Sequence, residues 1–143
     1  MKPIERINWS KWLQEKSEKW CDKDRWAVTL CFDSNPLDPE RMYKRWLCCI
    51  EQSPSMLANS NITSFYVLPK GPMGNRHIHG IVLADGLANL DQRVWENNWR
   101  ILVKYNNLKA ASIGKIDTGY YYYMTNKQNL SHSDNMRIRG KVR

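Results

Sequence analysis

The chain has 143 residues, 42% of them hydrophobic, so it can bury the core of one ordinary domain without disulfide bridges. It carries 22 Lys and Arg against 14 Asp and Glu, which gives a formal net charge of +8. Lysines and arginines gain affinity by releasing counterions from phosphates, so this excess predicts a nucleic-acid partner. No apolar run approaches the length of a membrane span, and we therefore expect no membrane partner.

The four cysteines lack the C-x-x-C spacing of metal and redox sites, and no signal peptide precedes them. They are Cys21, Cys31, Cys48 and Cys49. We therefore expect reduced thiols in an intracellular protein, located in the cytoplasm of a host cell.

The first half of the chain alternates helix and strand signals. Residues 8–20, NWSKWLQEKSEKW, place apolar side chains near one face of a predicted helix. Residues 26–32, WAVTLCF, are typical of a strand and end at the turn DSNP. A second helix is predicted over residues 37–52, because Asp38 suits its N-cap and Pro39 its first helical position.

The second half continues the alternation. Residues 64–68 and 77–84 are predicted strands that flank the turn PKGPMGN. The sequence then predicts a helix over 89–99, a strand over 100–105 (RILVKY) and a last helix over 118–130.

This order of elements predicts the fold class. Strands separated by helices, with one hairpin, indicate an α+β fold in which helices pack on an antiparallel sheet. We expect the domain to cover residues 1–130, and the basic polar segment 131–143 to be an unpacked tail.

Two of the three histidines stand one residue apart in GNRHIHGIVLAD, residues 74–85. Alternate residues of a strand face the same way, so His77 and His79 would present two imidazoles together. This spacing is typical of metal ligands, and the alternative is a pair of structural histidines at a sheet edge. The GNR turn offers backbone amides and Arg76 to an anion, and the apolar run that follows would hold the strand rigidly.

The tyrosine-rich segment GYYYYMTNK contains a second group of reactive side chains. On a helix, Tyr123 and Lys127 share a face, and Tyr120 lies close to it. A phenol has a pKa of about 10 and attacks phosphorus as a phenolate-like nucleophile, which a nearby ammonium favours. Four consecutive tyrosines cannot all react, and we expect most of them to pack with the hydroxyl at the rim.

These motifs together carry a resemblance. A strand like WAVTLCF, then histidine-hydrophobic-histidine, then a helix with Tyr and Lys, in this order, resembles the HUH endonucleases. The similarity is to the rolling-circle replication initiators, or Rep proteins, of small plasmids and viruses, and it spans about residues 26–128. Relaxases place the tyrosine before the histidines, so the order argues against them.

The resemblance implies a five-stranded antiparallel sheet with His77 and His79 on a central strand, in an HUH- or RRM-like arrangement. It implies a divalent metal between these histidines and Tyr123, which would attack single-stranded DNA at a replication origin. The products would be a 5′-phosphotyrosine and a free 3′-OH for a polymerase, and a later 3′-OH could rejoin the strand. Imidazole and oxygen donors suit Mn²⁺ and admit Mg²⁺.

The chain departs from the Rep pattern at two positions. The lysine usually stands three residues after the tyrosine, but that position is Asn126 here. Either Tyr123 acts with Lys127, or the nucleophile is a neighbouring tyrosine, Tyr120 or Tyr122. The strand before the histidines has no carboxylate to serve as the third metal ligand; by resemblance to single-tyrosine transposases, Gln128 is a candidate.

Candidate DNA contacts lie beside the predicted strands. They are Lys70, Arg76 and Lys104, with Trp26 or the surplus tyrosines as platforms on which bases could stack. The tail offers further cations that could grip phosphates: Arg137, Arg139, Lys141 and Arg143. No G-x-x-x-x-G-K-[ST] motif occurs, so a replication initiator of this kind would need a separate helicase.

Two other functions fit parts of the same pattern. A single-tyrosine HUH transposase would have a similar size and motif order. A non-catalytic RRM-like module would bind single-stranded nucleic acid, and its histidines would be structural.

Overall fold

Five antiparallel strands form one sheet in the computed structural model of the chain, which describes residues 3–34, 36–54, 61–69, 76–125 and 136–143, without the side chains of residues 3–7. The strands are β1 (Arg25–Cys31), β2 (Thr63–Val67), β3 (His77–Leu83), β4 (Ala111–Gly114) and β5 (Arg137–Arg139). Their order across the sheet is β4-β1-β3-β2-β5, so the histidine strand β3 is central. The expected α+β architecture is thereby confirmed.

Four α-helices pack on the sheet. They are α1 (Pro3–Ser17), α2 (Pro39–Glu51), α3 (Gln92–Val103) and α4 (Thr118–Met124). Three single-turn 3₁₀ helices, Asp22–Asp24, Leu87–Asn89 and Leu108–Ala110, lie between the longer elements. Within the described ranges, no helix combines the length and apolar composition that crossing a membrane requires.

Aspartate side chains start three of the helices. Asp38 caps α2 by accepting a hydrogen bond from the backbone nitrogen of Arg41, and Pro39 fills the first helical position as predicted. Asp91 caps α3, and Asp117 caps α4 by accepting from the nitrogen of Tyr120. The last cap fixes where the tyrosine helix begins, and therefore which tyrosines face the sheet.

Side chains alternate along the strands and build two cores, one on each face of the sheet. The first core joins the sheet to α2 and α3 and is rich in buried tryptophan and tyrosine: Trp26, Tyr43, Trp46, Tyr66 and Trp99. The second core joins the opposite face to α1 and α4, through residues such as Leu13, Phe65, Ile81 and Tyr121. His77 and His79 alternate with Ile78 and therefore belong to the α1/α4 face.

The predicted strand over 100–105 is wrong. Helix α3 continues to Val103 and ends at Lys104, whose left-handed φ of 57° closes the helix. Trp95, Trp99 and Leu102 pack against the first core at helical spacing, and this burial outweighs the β-propensity of the local apolar run. The actual strand at this edge of the sheet is β4.

The interpretation of the C-terminal segment as an unpacked tail is also wrong for residues 136–143. Strand β5 pairs with β2, and its arginines form ion pairs within the protein, Arg137 with Glu40 and Arg139 with Glu51. Gly140 adopts a φ of +87°, in a place where a side chain would collide with the carbonyl of Ile62. The arginines pack here because carboxylates of α2 neutralise them. Residues 131–135 lie outside the described residues.

Candidate active site

The two histidines lie together at one end of the α1/α4 face. Their ring centroids are 4.7 Å apart and the rings are nearly perpendicular, at 89°. His77 is half-buried, whereas only 5% of His79 is exposed. The strand pairing places Cys31 opposite His77 and Thr29 opposite His79 on the neighbouring strand.

His79 is held on both ring nitrogens. Its Nδ1 lies 3.2 Å from the hydroxyl oxygen of Thr29, and its Nε2 lies 3.3 Å from the hydroxyl oxygen of Tyr123. Burial, with a smaller contribution from the nearby His77, lowers the pKa of His79 to about 4. The ring is therefore neutral at pH 7, which is the form that binds a metal ion.

The contact with Thr29 determines how the imidazole can react. In the tautomer whose Nδ1–H donates to Thr29, Nε2 keeps its lone pair and accepts the hydrogen bond of the Tyr123 hydroxyl. A metal ion would use the same lone pair. Hydrogen bonds to the second nitrogen of a ligand histidine commonly fix its tautomer and ring orientation, and Thr29 can do so here.

The four tyrosines of helix α4 differ in burial and in the residues they contact. Tyr123 places its ring 5.1 Å from that of His79, at an interplanar angle of 83°, and 45% of the residue is exposed. Tyr121 is buried in the second core, and Tyr122 is 46% exposed. Tyr123 therefore combines contact with a histidine and access to a substrate.

Tyr120 has a structural role. Its hydroxyl donates to the carbonyl oxygens of Val28 and Gly80, at 2.9 and 3.0 Å, and so joins α4 to strands β1 and β3. Burial raises the pKa of Tyr120 well above that of a free phenol. The hydroxyl is therefore both engaged with the backbone and hard to ionise, which disfavours Tyr120 as the nucleophile.

The described residues supply part of a metal site. His77 and His79 offer two imidazoles on one face, as the sequence spacing predicts. No group of three His, Cys, Asp or Glu side chains that could hold an ion occurs in the part of the chain that the structure describes. Gln128, the candidate third ligand, and Lys127, the candidate partner of Tyr123, lie outside that part. The donor set thus fits two ligands of a divalent ion.

The candidate DNA contacts are dispersed. Arg76 immediately precedes His77 and donates to the carbonyl of Leu68 at 2.8 Å, so it lies beside the histidines. Lys104 is exposed at the end of α3, whose tryptophans pack on the other face of the sheet. Trp26 is 2% exposed and lies in the core, so it cannot serve as a stacking platform. Lys70 lies outside the described residues.

Two of the four tail cations are engaged with acidic side chains of α2, as described above, and Arg143 pairs with Asp85 and lies 4.4 Å from the ring of Trp20. The backbone carbonyl of Lys141 accepts a hydrogen bond from Thr63. The described part of the tail is therefore folded and not a free basic arm, since β5 pairs with β2, and contact of its cations with phosphates stays a prediction.

Sequence reasoning missed Thr29 as a site residue. The signal was a hydroxyl residue at the centre of the apolar run WAVTLCF, but its meaning depends on the register that pairs it with His79. That register is a tertiary property, so the sequence pattern alone could not show it.

Comparison of the chain with protein-family models, with curated proteins and with solved structures finds no match. The geometry of this site and the order of its motifs along the chain are therefore the observations from which a function can be inferred.

Proposed function

We propose that the protein is a metal-dependent endonuclease that nicks and rejoins single-stranded DNA through a covalent bond to Tyr123. The observation that carries the proposal is the arrangement of three side chains. The Tyr123 hydroxyl lies 3.3 Å from Nε2 of His79, whose ring centroid lies 4.7 Å from that of His77. The order of these residues along the chain resembles that of the Rep proteins.

In this proposal the phenolic oxygen of Tyr123 forms a bond to phosphorus while the bond from phosphorus to the 3′ oxygen breaks. The phenol proton passes to solvent, to which Tyr123 is 45% exposed, and the departing 3′ oxygen takes a proton from water. The product is a 5′-phosphotyrosine and a 3′-OH. Attack by a 3′-OH on the phosphotyrosine reverses both bond changes and rejoins a strand.

A divalent ion, Mg²⁺ or Mn²⁺, held by His77 and His79 would supply Lewis-acid polarisation of the phosphate. The chain's own contribution is placement. The central strand β3 fixes both imidazoles, Thr29 holds the ring of His79, and α4 aims Tyr123 at it. Such preorganisation accounts for much of the rate enhancement of phosphoryl-transfer enzymes.

The biological setting belongs to the same proposal. A nick that leaves a 3′-OH primes a polymerase, so the activity suits the start of rolling-circle replication of a plasmid or virus. The net charge of +8 supports binding to a DNA strand. A separate helicase would open the origin.

The decisive experiment incubates the protein with Mn²⁺ and single-stranded oligonucleotides, and measures covalent adducts on a denaturing gel. Tyr123→Phe removes the attacking oxygen and keeps the ring packing, so the adduct should disappear while the melting temperature barely changes. Tyr122→Phe is the matched control, because it removes the same atom from a neighbour of nearly equal exposure, 46% against 45%.

Two results would contradict the proposal at different levels. An adduct that survives in Tyr123→Phe but is lost in Tyr122→Phe or Tyr120→Phe moves the nucleophile and keeps the enzyme class. Binding of oligonucleotides without any adduct in the unaltered protein, across sequences and with Mn²⁺ present, indicates the non-catalytic binding module instead.

A further inference from the structure

A groove of about 540 Å³ lies at the end of the sheet opposite the histidines. It is lined by the residues that open β1, by the start of α3 and by the residue that follows β4. Its charged lining residues are the cations Lys23, Arg25, Arg93 and Lys115, and the carboxylates Asp22 and Asp91. The groove therefore has an excess of two positive charges.

The ion pairs of the groove leave its cations available to a ligand. Asp22 lies 3.3 Å from Arg25 and 3.8 Å from Lys115, and Asp91 lies 3.7 Å from Arg93. The side chains of Arg93 and Lys115 are 89% and 83% exposed. Ion pairs this exposed are weak, so a phosphate can compete with the carboxylates for both cations.

The environment of Arg25 also favours an anion. The side chain of Arg25 is only 16% exposed, and its Nε is buried without a hydrogen-bond partner. A negative charge next to this guanidinium would offset part of the cost of burying it.

The floor of the groove indicates which part of a nucleic acid it would contact. Trp26 is 2% exposed and Leu87 is fully buried, so neither offers a free face on which a base can stack. The groove thus presents cations above a closed apolar floor. It suits the sugar-phosphate backbone and would bind independently of base sequence.

We propose that this groove binds nucleotide phosphates and holds the backbone of the DNA strand that is cut at Tyr123. The identity of that strand rests on the proposed function. Arg25 and Cys31 begin and end β1, so at ~3.3 Å per residue the groove lies about 20 Å from His77, which pairs with Cys31.

The first test removes two exposed cations of the groove together, as Arg93→Gln with Lys115→Gln. The matched control removes an arginine and a lysine from the exposed side of α2, as Arg41→Gln with Lys44→Gln. Affinity for a single-stranded DNA of about 20 nucleotides is measured over a range of salt concentrations. The loss of two phosphate contacts should reduce the slope of log K against log salt by about 1.4, and the control should change it much less. Equal losses of affinity and of slope in both variants would mean that the whole charged surface attracts DNA, and would overturn the proposal that the groove binds it.

The second test distinguishes binding of a DNA strand in the groove from binding of a free nucleotide. Backbone amide signals of Lys23, Ala88 and Gln92 are followed by NMR without metal, while either the oligonucleotide or dAMP is added. Shifts with the oligonucleotide support the proposal, shifts with dAMP alone overturn the assignment to a strand, and no shift with either overturns the phosphate site. Because no cleavage is needed, these outcomes are independent of whether Tyr123 forms an adduct.

Discussion

The two faces of the sheet differ most sharply around His79, and adjacent residues of β3 show the contrast. Gly80 faces α2, where an added Cβ would lie 2.8 Å from the hydroxyl of Tyr43, and the surrounding core is close-packed and aromatic. His79 faces α4, where its neighbours Thr29 and Tyr123 contact it through hydrogen bonds. One face thus fixes this part of the strand by packing. The other face also has an apolar core, but at the histidine end it presents the imidazoles of His77 and His79 with the hydroxyls of Thr29 and Tyr123, and we call this end the polar face.

This division has a physical reason. A reactive constellation must be held to within a fraction of an ångström, and rigid elements do this better than loops. The aromatic core behind β3 supplies part of this rigidity, and the hydrogen-bond partners of the buried His79 supply the rest. We therefore expect substitutions around His79 to reduce activity more than stability, and substitutions around Gly80 to reduce stability.

The largest expected effect is loss of cleavage on the polar face. Replacing His77 with Ala should abolish the metal-dependent adduct, because the site would keep one imidazole. Affinity for single-stranded DNA should remain nearly unchanged, since contacts to phosphate dominate binding. The measurements are the Mn²⁺-dependent gel assay and the oligonucleotide affinity. Thermal unfolding is the control for a loss of the fold. Full nicking by the double alanine variant of His77 and His79 would contradict the proposal that these histidines bind the metal ion.

The same contrast shows how much the sequence could predict. The period-two spacing placed both histidines on one face, and the local signals of Asp38 and Pro39 placed the start of α2, because both depend on nearby residues alone. The strand predicted at RILVKY failed, since burial of Trp99 against the first core decided the conformation there. Strand β5 was missed because its arginines are neutralised by Glu40 and Glu51, which are far away in the sequence.

A smaller effect is expected on the packed face, and it should fall on stability. Gly80→Ala places a methyl group 2.8 Å from the Tyr43 hydroxyl and 3.2 Å from Val28, so it should cost about 1–3 kcal/mol of unfolding free energy. Gly114→Ala is the matched control, because no atom lies within 4 Å of a Cβ there. Denaturant unfolding measures both. A Gly80→Ala protein as stable as the control would show that this face is loosely packed, contrary to the comparison.

The smallest effect on stability is expected at Thr29, which lies on β1 opposite His79 and contacts its Nδ1. Thr29→Val keeps the shape of the side chain and removes the hydroxyl that contacts Nδ1 of His79, so unfolding free energy should fall by only about 1 kcal/mol. The substitution should weaken metal binding more than it lowers the free energy of unfolding. Loss of the group that orients a ligand histidine typically weakens metal affinity about 10–100-fold, and Mn²⁺ titration of the adduct reaction measures this.

Thr29→Ser tests whether the hydroxyl itself is responsible, because it restores the oxygen without the methyl group and should recover the affinity for Mn²⁺. Ser112→Ala is the control for the general loss of a hydroxyl on this face. Ser112 lies on β4, where it pairs with Thr29 of β1, but its side chain is exposed. If Thr29→Val leaves the Mn²⁺ dependence unchanged while stability falls, the contact is structural only. The polar face would then position His79 through strand β3 alone, and the hydroxyl of Tyr123 would be needed as the nucleophile and not as a partner of that imidazole.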